Sequence, residues 1–424
     1  MGIQETLKKY KWIVPLITGA EKKVRNKIFT NFSEKKKNFY PKGEFKADIK
    51  NLINCMLCPN MCRFDCGSLQ AACSETMSPA YKSLIGYYIT VGKIDPTKEE
   101  NKEFVDLMYK CTNEENCKIW CPFDFSVVSL LETVRDDLNS KGLMPEYGRS
   151  IIASLNKYHT PEKENIYATY KEKGIKNIET DGNDDVFYYI GCEMMKFPEV
   201  VKANINILKK AGIKFSTNLE KKICCGSPAF NFRDKKTGLD FAERNNELIK
   251  QTGADIVVAD CPGCVETLTK KYQKNGIEIK TRVTHIIEYI SQLIDNKKLT
   301  FEKTIPKEYA KVVYHDPCLL ARNQEDVTSA RNILEKIPSL ELLEPIYNKG
   351  NTHCCGWSGT LHLADRKISR IEAQNRVKEL TETGTTIIVT ACPLCEIGLN
   401  YGIFEKDKDK IKIMDISELI DKIL

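Results

Sequence analysis

Val186-Phe187-Tyr188-Tyr189-Ile190 running to Cys192, then Cys224-Cys225-Gly226, then Ile256-Val257-Val258 running to Cys261-Pro262-Gly263-Cys264: this succession occurs twice in the chain. The second copy opens on Val312-Val313-Tyr314 before Cys318, passes through Cys354-Cys355-Gly356, and runs from Ile387-Ile388-Val389 to Cys392-Pro393-Leu394-Cys395. Each copy closes with a lysine-containing strand and a helix, residues 277–294 and 411–424. A repeat complete to its last helix is a duplicated structural unit. Short aliphatic runs alternating with helix-like stretches predict an α/β unit with a parallel sheet in each copy. Ligands of such sheets gather at the carboxyl ends of the strands, where Cys192, Cys261, Cys318 and Cys392 fall. Pro262 and Pro393 suit the first turn of a helix, and a helix amino terminus stabilises thiolates.

Upstream the cysteines change pattern. They read Cys55-x2-Cys58-x3-Cys62-x3-Cys66, Cys73, and then Cys111-x5-Cys117-x3-Cys121-Pro122. Close thiolates on one loop, joined by a distant cysteine before proline, are how ferredoxin-type modules wrap cubane clusters, each loop lending its last cysteine to the other cluster. By that logic Cys55, Cys58, Cys62 and Cys121 hold one [4Fe-4S] cluster, and Cys66, Cys111 and Cys117 belong to a second. The pattern departs from the usual one because Glu114 stands where a further cysteine would come and the first loop is one residue longer. Cys73, Glu114 or a three-iron cluster are the open choices for the missing ligand; Cys73 makes eight cysteines, four for each of two cubane clusters. Four thiolates also suit structural zinc, but two interleaved loops with Cys-Pro favour iron–sulfur.

Each repeat supplies five cysteines, more than a tetrahedral zinc or an ordinary cubane uses. Eight and ten account for all 18 cysteines of the 424-residue chain, so none is left as an independent nucleophile. A disulfide framework is disfavoured, because grouped cysteines in a chain without an export signal belong to a reducing compartment. That reasoning predicts a cytoplasmic protein.

The boundaries follow. Residues 1–50 carry no cysteine and have no assigned role, with a mildly amphipathic stretch around Leu7, Ile13 and Ile17. Residues 51–145 form the two-cluster module, whose 81–108 segment reads as mixed strand and helix. Residues 146–184 form a linker ending in Asp181-Gly182-Asn183-Asp184. The repeats occupy 185–298 and 312–424, joined by 299–311. The longest apolar run, Trp12 to Ile17, is too short for a bilayer, so any membrane contact is peripheral. A net charge of +6 without a basic block gives no reason to invoke nucleic acid. No dinucleotide fingerprint, phosphate loop or His-Glu-x2-His motif is present, so the chain itself is expected to bind neither flavin nor nucleotide.

The two copies, each with Cys-Cys-Gly flanked by a lone cysteine and Cys-Pro-x-Cys, 31 to 36 residues apart, resemble the cysteine-rich domain of the heterodisulfide reductase family. That family includes the catalytic subunit of methanogen heterodisulfide reductase and the iron–sulfur subunit of glycolate oxidase. The resemblance covers nearly everything after residue 50. It implies a noncubane [4Fe-4S] cluster on each five-cysteine set, Cys192, Cys224, Cys225, Cys261 and Cys264 in one and Cys318, Cys354, Cys355, Cys392 and Cys395 in the other. It also implies that a pair of such clusters can cleave a disulfide.

Other residues are weighed against plainer roles. His315 and His353 sit beside cysteines, where a proton donor for a leaving thiolate would be useful; a structural histidine fits equally. His285 reads as structural, and Trp357 as packing or a wall of the site. Gly226 and Gly356 permit close backbone approach to a cluster. The expected function is the iron–sulfur subunit of an anaerobic oxidoreductase complex, fed by a flavoprotein or other electron-donor subunit. It would relay electrons from cubane to noncubane clusters and reduce a disulfide such as a heterodisulfide. The alternative is a non-catalytic relay in a flavin-dependent 2-hydroxy acid dehydrogenase of glycolate or lactate type.

Overall fold

The computed structural model describes residues 45–162, 167–220, 223–301 and 303–424, with residues 15, 18–27 and 30 before them. The amphipathic stretch around Leu7, Ile13 and Ile17 lies outside the described residues.

Each repeat is a four-stranded parallel sheet. In the first, β1 (Val186–Tyr189) pairs with β2 (Phe215–Thr217) and β3 (Ile256–Ala259), and β3 pairs with β4 (Arg282–His285), in the order β2-β1-β3-β4. The second repeats it as β6-β5-β7-β8, with β5 at Lys311–Tyr314, β6 at Glu341–Leu343, β7 at Ile387–Thr390 and β8 at Lys412–Asp415. All residues of β1 and β3 are buried, as in parallel sheets covered on both faces by crossover helices. The turns that feed the helices use local chemistry. Asp234 and Asp365 accept from the backbone N–H three residues on, starting the helices Lys235–Thr252 and Arg366–Thr381. Pro262 and Pro393 open helices directly after Cys261 and Cys392. His285 caps the helix Ile286–Asp295 through Nδ1, and Asp415 occupies the same place before Ile416–Asp421, so His285 has a structural task.

The copies face each other in a self-complementary way. The helix Pro198–Lys210 of the first packs on Ile416–Asp421 of the second, while Ile286–Asp295 of the first packs on Ser329–Glu335 of the second. Equivalent elements exchange partners, the signature of an isologous interface, here within one chain.

The amino-terminal module is helical throughout its described residues. The 81–108 segment, expected as mixed strand and helix, contains the helices Pro79–Thr90 and Lys102–Leu107 and no strand. Its Tyr87-Tyr88-Ile89-Thr90 run looks strand-like because the helix is buried on several sides, with Lys82, Ser83, Ile85, Gly86, Tyr87, Ile89 and Thr90 all inside. The 146–184 linker is likewise structured at its start: Glu146–Tyr158 is a helix with Ile152 and Leu155 buried, and Gly148 lies against Phe232 of the first repeat. The module is fastened to both repeats. Arg135, fully buried, donates to the Met108 and Asn231 carbonyls, Arg233 pairs with Asp136 at 2.7 Å, and Lys110 pairs with Asp365 at 3.0 Å. No helix among the described residues is long and apolar enough to cross a membrane.

Candidate metal centres

The carboxyl ends of β1, β3, β5 and β7 deliver Cys192, Cys261, Cys318 and Cys392, as the strand pattern predicts, and all ten repeat cysteines are buried and unpaired by disulfides. In the first copy Cys192 and Cys224 lie 3.5 Å apart, sulfur to sulfur. Hydrogen bonds from Cys224 and Cys264 hold the Cys225 thiol well below its ordinary value. In the second copy Cys354 and Cys395 act on Cys355 in the same way. Both copies thus build the same thiol fan around the second cysteine of Cys-Cys-Gly.

The two fans touch. Cys261 and Cys392, equivalent residues of the two copies, are hydrogen-bonding neighbours. Around them the chain interlocks through two single π-helical turns, Thr267–Lys271 and Leu319–Asn323, a distortion that recurs at functional sites. Gln324 donates to the Pro262 carbonyl at 2.9 Å across that seam.

A cavity of about 810 Å³ opens between the copies. All five cysteines of the first copy line it, and the second copy contributes Leu319, Trp357, His362 and Leu394 as walls, while its own five cysteines stay behind them. Trp357 stacks on His362 with centroids 5.1 Å apart. Burial lowers His362 to about 4, so the ring is neutral near pH 7. Glu115, another lining residue, has its carboxyl pushed up by burial.

The amino-terminal thiols form two neighbouring groups. Cys55, Cys58, Cys62 and Cys121 interact with one another and, with Cys117, line a small cavity. Cys66, Cys111 and Cys117 interact in turn. Burial pushes Cys55 up to about 11 and Cys62 and Cys66 up to about 12, so these thiols stay neutral until a bound cation compensates their charge. Cys73 does not join either group: it is exposed at the end of the helix Gly67–Ala72, with Sγ 3.4 Å from the Gln70 carbonyl. Glu114 is buried near Cys66 but pairs with Arg322 at 3.3 Å and groups with Cys354 and Glu372 within 4.8 Å. It bridges the module and the second copy.

The two candidate histidines part ways. His353 lies between Asp65 at 2.8 Å and Glu379 at 2.7 Å. Burial works against its charge, yet the two carboxylates outweigh that and raise it to about 9; it is a cationic clamp between the module and the second copy. His315 is fully buried with a ring nitrogen within 4.8 Å of the Cys355 and Cys395 sulfurs. Neither lines the cavity, whereas His362, without any motif of its own, does. Gly226 and Gly356 hold φ of +79° and +76°. A Cβ there would meet Phe241 or the Ser369 carbonyl oxygen, so the close approach that glycine allows is to the following helix.

The donor set suits an iron–sulfur group: converging buried thiols without disulfides, beside a buried His315 Nε2 that meets no oxygen or nitrogen partner. The comparisons with known proteins agree. Residues 186–269 and 312–400 each match the CCG cysteine-rich domain, so the chain carries two copies of that domain. It is homologous to a subunit of heterodisulfide reductase and to related iron–sulfur proteins. The matching subunit of the dihydromethanophenazine:CoB–CoM heterodisulfide reductase of Methanosarcina barkeri is 28% identical over 343 residues, covering 78% of this chain and 82% of the relative. A subunit of the fumarate reductase (CoM/CoB) of Methanothermobacter marburgensis is 26% identical over 385 residues, 90% of this chain and 74% of the relative. The EtfAB:quinone oxidoreductase of Syntrophomonas wolfei is 23% identical over 373 residues, 83% of this chain and 49% of the relative.

Proposed function

We propose that the chain is an iron–sulfur electron-relay subunit of a hetero-oligomeric oxidoreductase, and that its cavity receives a disulfide such as a heterodisulfide as the terminal acceptor. The observation that carries this reading is Cys261, which lines the cavity and lies beside its counterpart Cys392 behind the wall. Two five-thiol sites that touch can act on one acceptor as a two-electron pair. Iron–sulfur clusters would supply the one-electron steps: cubane groups on Cys55, Cys58, Cys62 and Cys121 and on Cys66, Cys111 and Cys117, noncubane groups on the two five-cysteine sets.

The remaining chemistry belongs to the polypeptide. Leu319, Trp357 and Leu394 give the cavity apolar walls and restrict water around a bound disulfide. Lys270, Lys271 and Arg366 line the same space together with Glu115, Glu132 and Glu266, so its lining carries charge of both signs. The acceptor takes two electrons and two protons, its S–S bond breaks, and two thiols leave. Electrons would come from a flavoprotein or other donor subunit docked at the amino-terminal module.

The test is protein purified without oxygen, assayed for iron and sulfide and then for disulfide reduction with a reduced viologen dye. About 16 irons with matching sulfide are expected, and Cys192→Ser and Cys318→Ser each abolish turnover. Unaltered turnover in both variants overturns the assignment of the site. Co-purification with a flavin oxidase of a 2-hydroxy acid, and no disulfide turnover, replaces it with a non-catalytic relay.

A further inference from the structure

The duplicated fan of thiols is not equal in its surroundings. Three residues before Cys192 stands Tyr189, and three before Cys318 stands His315. Sixteen before Cys261 stands Asn245, and sixteen before Cys392 stands Arg376. The strand registers agree: Tyr188 pairs with Val258 and Tyr314 with Val389, each one residue ahead of this position. In the first copy both side chains are spent elsewhere. The Tyr189 hydroxyl donates to the Ile223 carbonyl at 3.2 Å, and the Asn245 amide donates to the Cys224 carbonyl at 3.0 Å.

In the second copy they join. Arg376 Nε donates to His315 Nδ1 at 3.1 Å. The rest of the guanidinium is held by the Tyr347 carbonyl at 3.0 Å, Glu379 at 3.0 Å and Thr352 Oγ1 at 3.2 Å. A guanidinium carries donors and no acceptor, so Nδ1 must be the accepting nitrogen and the ring's proton sits on Nε2. That N–H meets no oxygen or nitrogen acceptor; it faces sulfur, on a ring within 4.8 Å of the Cys355 and Cys395 sulfurs that interacts with the Cys355 thiol. An imidazole in this tautomer cannot ligate a metal through Nε2; it can donate to a sulfur.

We propose that Arg376 is a positioning residue that locks His315 as an Nε2–H donor to the Cys355 sulfur, giving the second copy's cluster a higher reduction potential than the first copy's. The inference rests on the reading that both five-cysteine sets hold iron–sulfur clusters. A hydrogen bond to a cluster sulfur favours the reduced, more negative form. The first electron to arrive therefore rests at the second copy's site, beside the amino-terminal module, and the first copy's site on the cavity fills after it.

Redox titration of the full-length, anaerobically purified protein, followed by electron paramagnetic resonance, tests this. The signal lost in Cys318→Ser identifies the second copy. His315→Tyr, which installs the residue the first copy already accommodates, is expected to change that signal's reduced-to-oxidised ratio about tenfold toward oxidised at a fixed potential, 59 mV for a one-electron couple. Arg376→Asn is expected to give a similar change, and the double variant no more than either, because Arg376 acts through His315. The first copy's signal stays in place. Unshifted signals overturn the proposal, and so do shifts that add in the double variant, since additivity means that Arg376 acts by charge alone. Should Arg376→Asn fail to fold, His315→Tyr carries the test by itself. A second copy that binds no iron in the wild type overturns the functional reading, a result distinct from a bound cluster with no shift.

Discussion

Gly356→Ala should destabilise the second copy more than Gly226→Ala destabilises the first. Both glycines occupy the same place after Cys-Cys, with φ of +76° and +79°, so the cost of a left-handed alanine, about 1–2 kcal/mol, is common to both and cancels. The neighbours differ. At Gly226 the added carbon meets Phe241 Cβ at 2.9 Å, an atom carried by the backbone of the helix Lys235–Thr252, but the overlap is the shallower and so the softer of the two. At Gly356 it runs into the Ser369 carbonyl oxygen, with Ala373 N at 3.1 Å, and these are backbone atoms of the helix Arg366–Thr381. Moving that helix also disturbs the 2.7 Å bond from Ser369 Oγ to the Gly356 carbonyl. Overpacking of this kind costs about 1–3 kcal/mol, against about 1 kcal/mol for the softer contact, leaving a difference of about 1–2 kcal/mol. Circular dichroism melts of the iron-loaded protein, at one scan rate without oxygen, should show Gly356→Ala melting lower by about 1–2 °C. Equal melting temperatures, or a lower one for Gly226→Ala, would refute the geometric argument.

Two further outcomes concern charge. Burial raises the Asp415 carboxyl to about 7 from 3.8; the folded protein thus holds this proton more tightly than the unfolded chain, and stability falls as pH rises through that window. Asp415→Asn keeps an oxygen for the Ser417 N–H and removes the slope, so denaturant titrations should find the variant steadier than wild type between pH about 4 and about 7, by at most about 4 kcal/mol; a slope that survives the substitution counts against Asp415 as its source. Asp65→Asn or Glu379→Gln takes one carboxylate from the His353 clamp and should loosen the module from the second copy by about 1–2 kcal/mol. Limited proteolysis should then cut faster in residues 45–145, and unchanged cleavage would mean that the Arg135, Arg233 and Lys110 contacts hold the module unaided.

The strands that carry cysteines were readable because each combines a buried aliphatic run with a Cys-Pro-x-Cys helix start, as at Ile256 to Cys264 and Ile387 to Cys395. Two of the four edge strands were not: Phe215–Thr217 and Glu341–Leu343 are three residues each and lack a repeating apolar signal. In the amino-terminal module, the helix Pro79–Thr90 is buried on most sides and its half-buried stripe, Ala80, Tyr81, Leu84 and Tyr88, is apolar, so no polar face tells it from a strand, hence the misread 81–108 segment. The structure brings Cys55, Cys58, Cys62 and Cys121 together and leaves Cys73, which the count of eight thiols assigned to the second cluster, exposed at a helix end. Asp65, Glu379, His362 and Arg376 meet only through tertiary contacts, so no local motif announces them. Aligning the two copies would have exposed Tyr189 against His315 and Asn245 against Arg376, since a duplicated unit carries its own reference.

The exchange of partner helices between the copies has an evolutionary reading. A pair of separate, identical chains meeting through this self-complementary face would be bound by two-fold symmetry, and any substitution would appear at both metal sites at once. Joining the copies in one polypeptide removes that constraint. Each half can mutate alone, so one can keep its thiols on the cavity while the other specialises toward the amino-terminal module beside it.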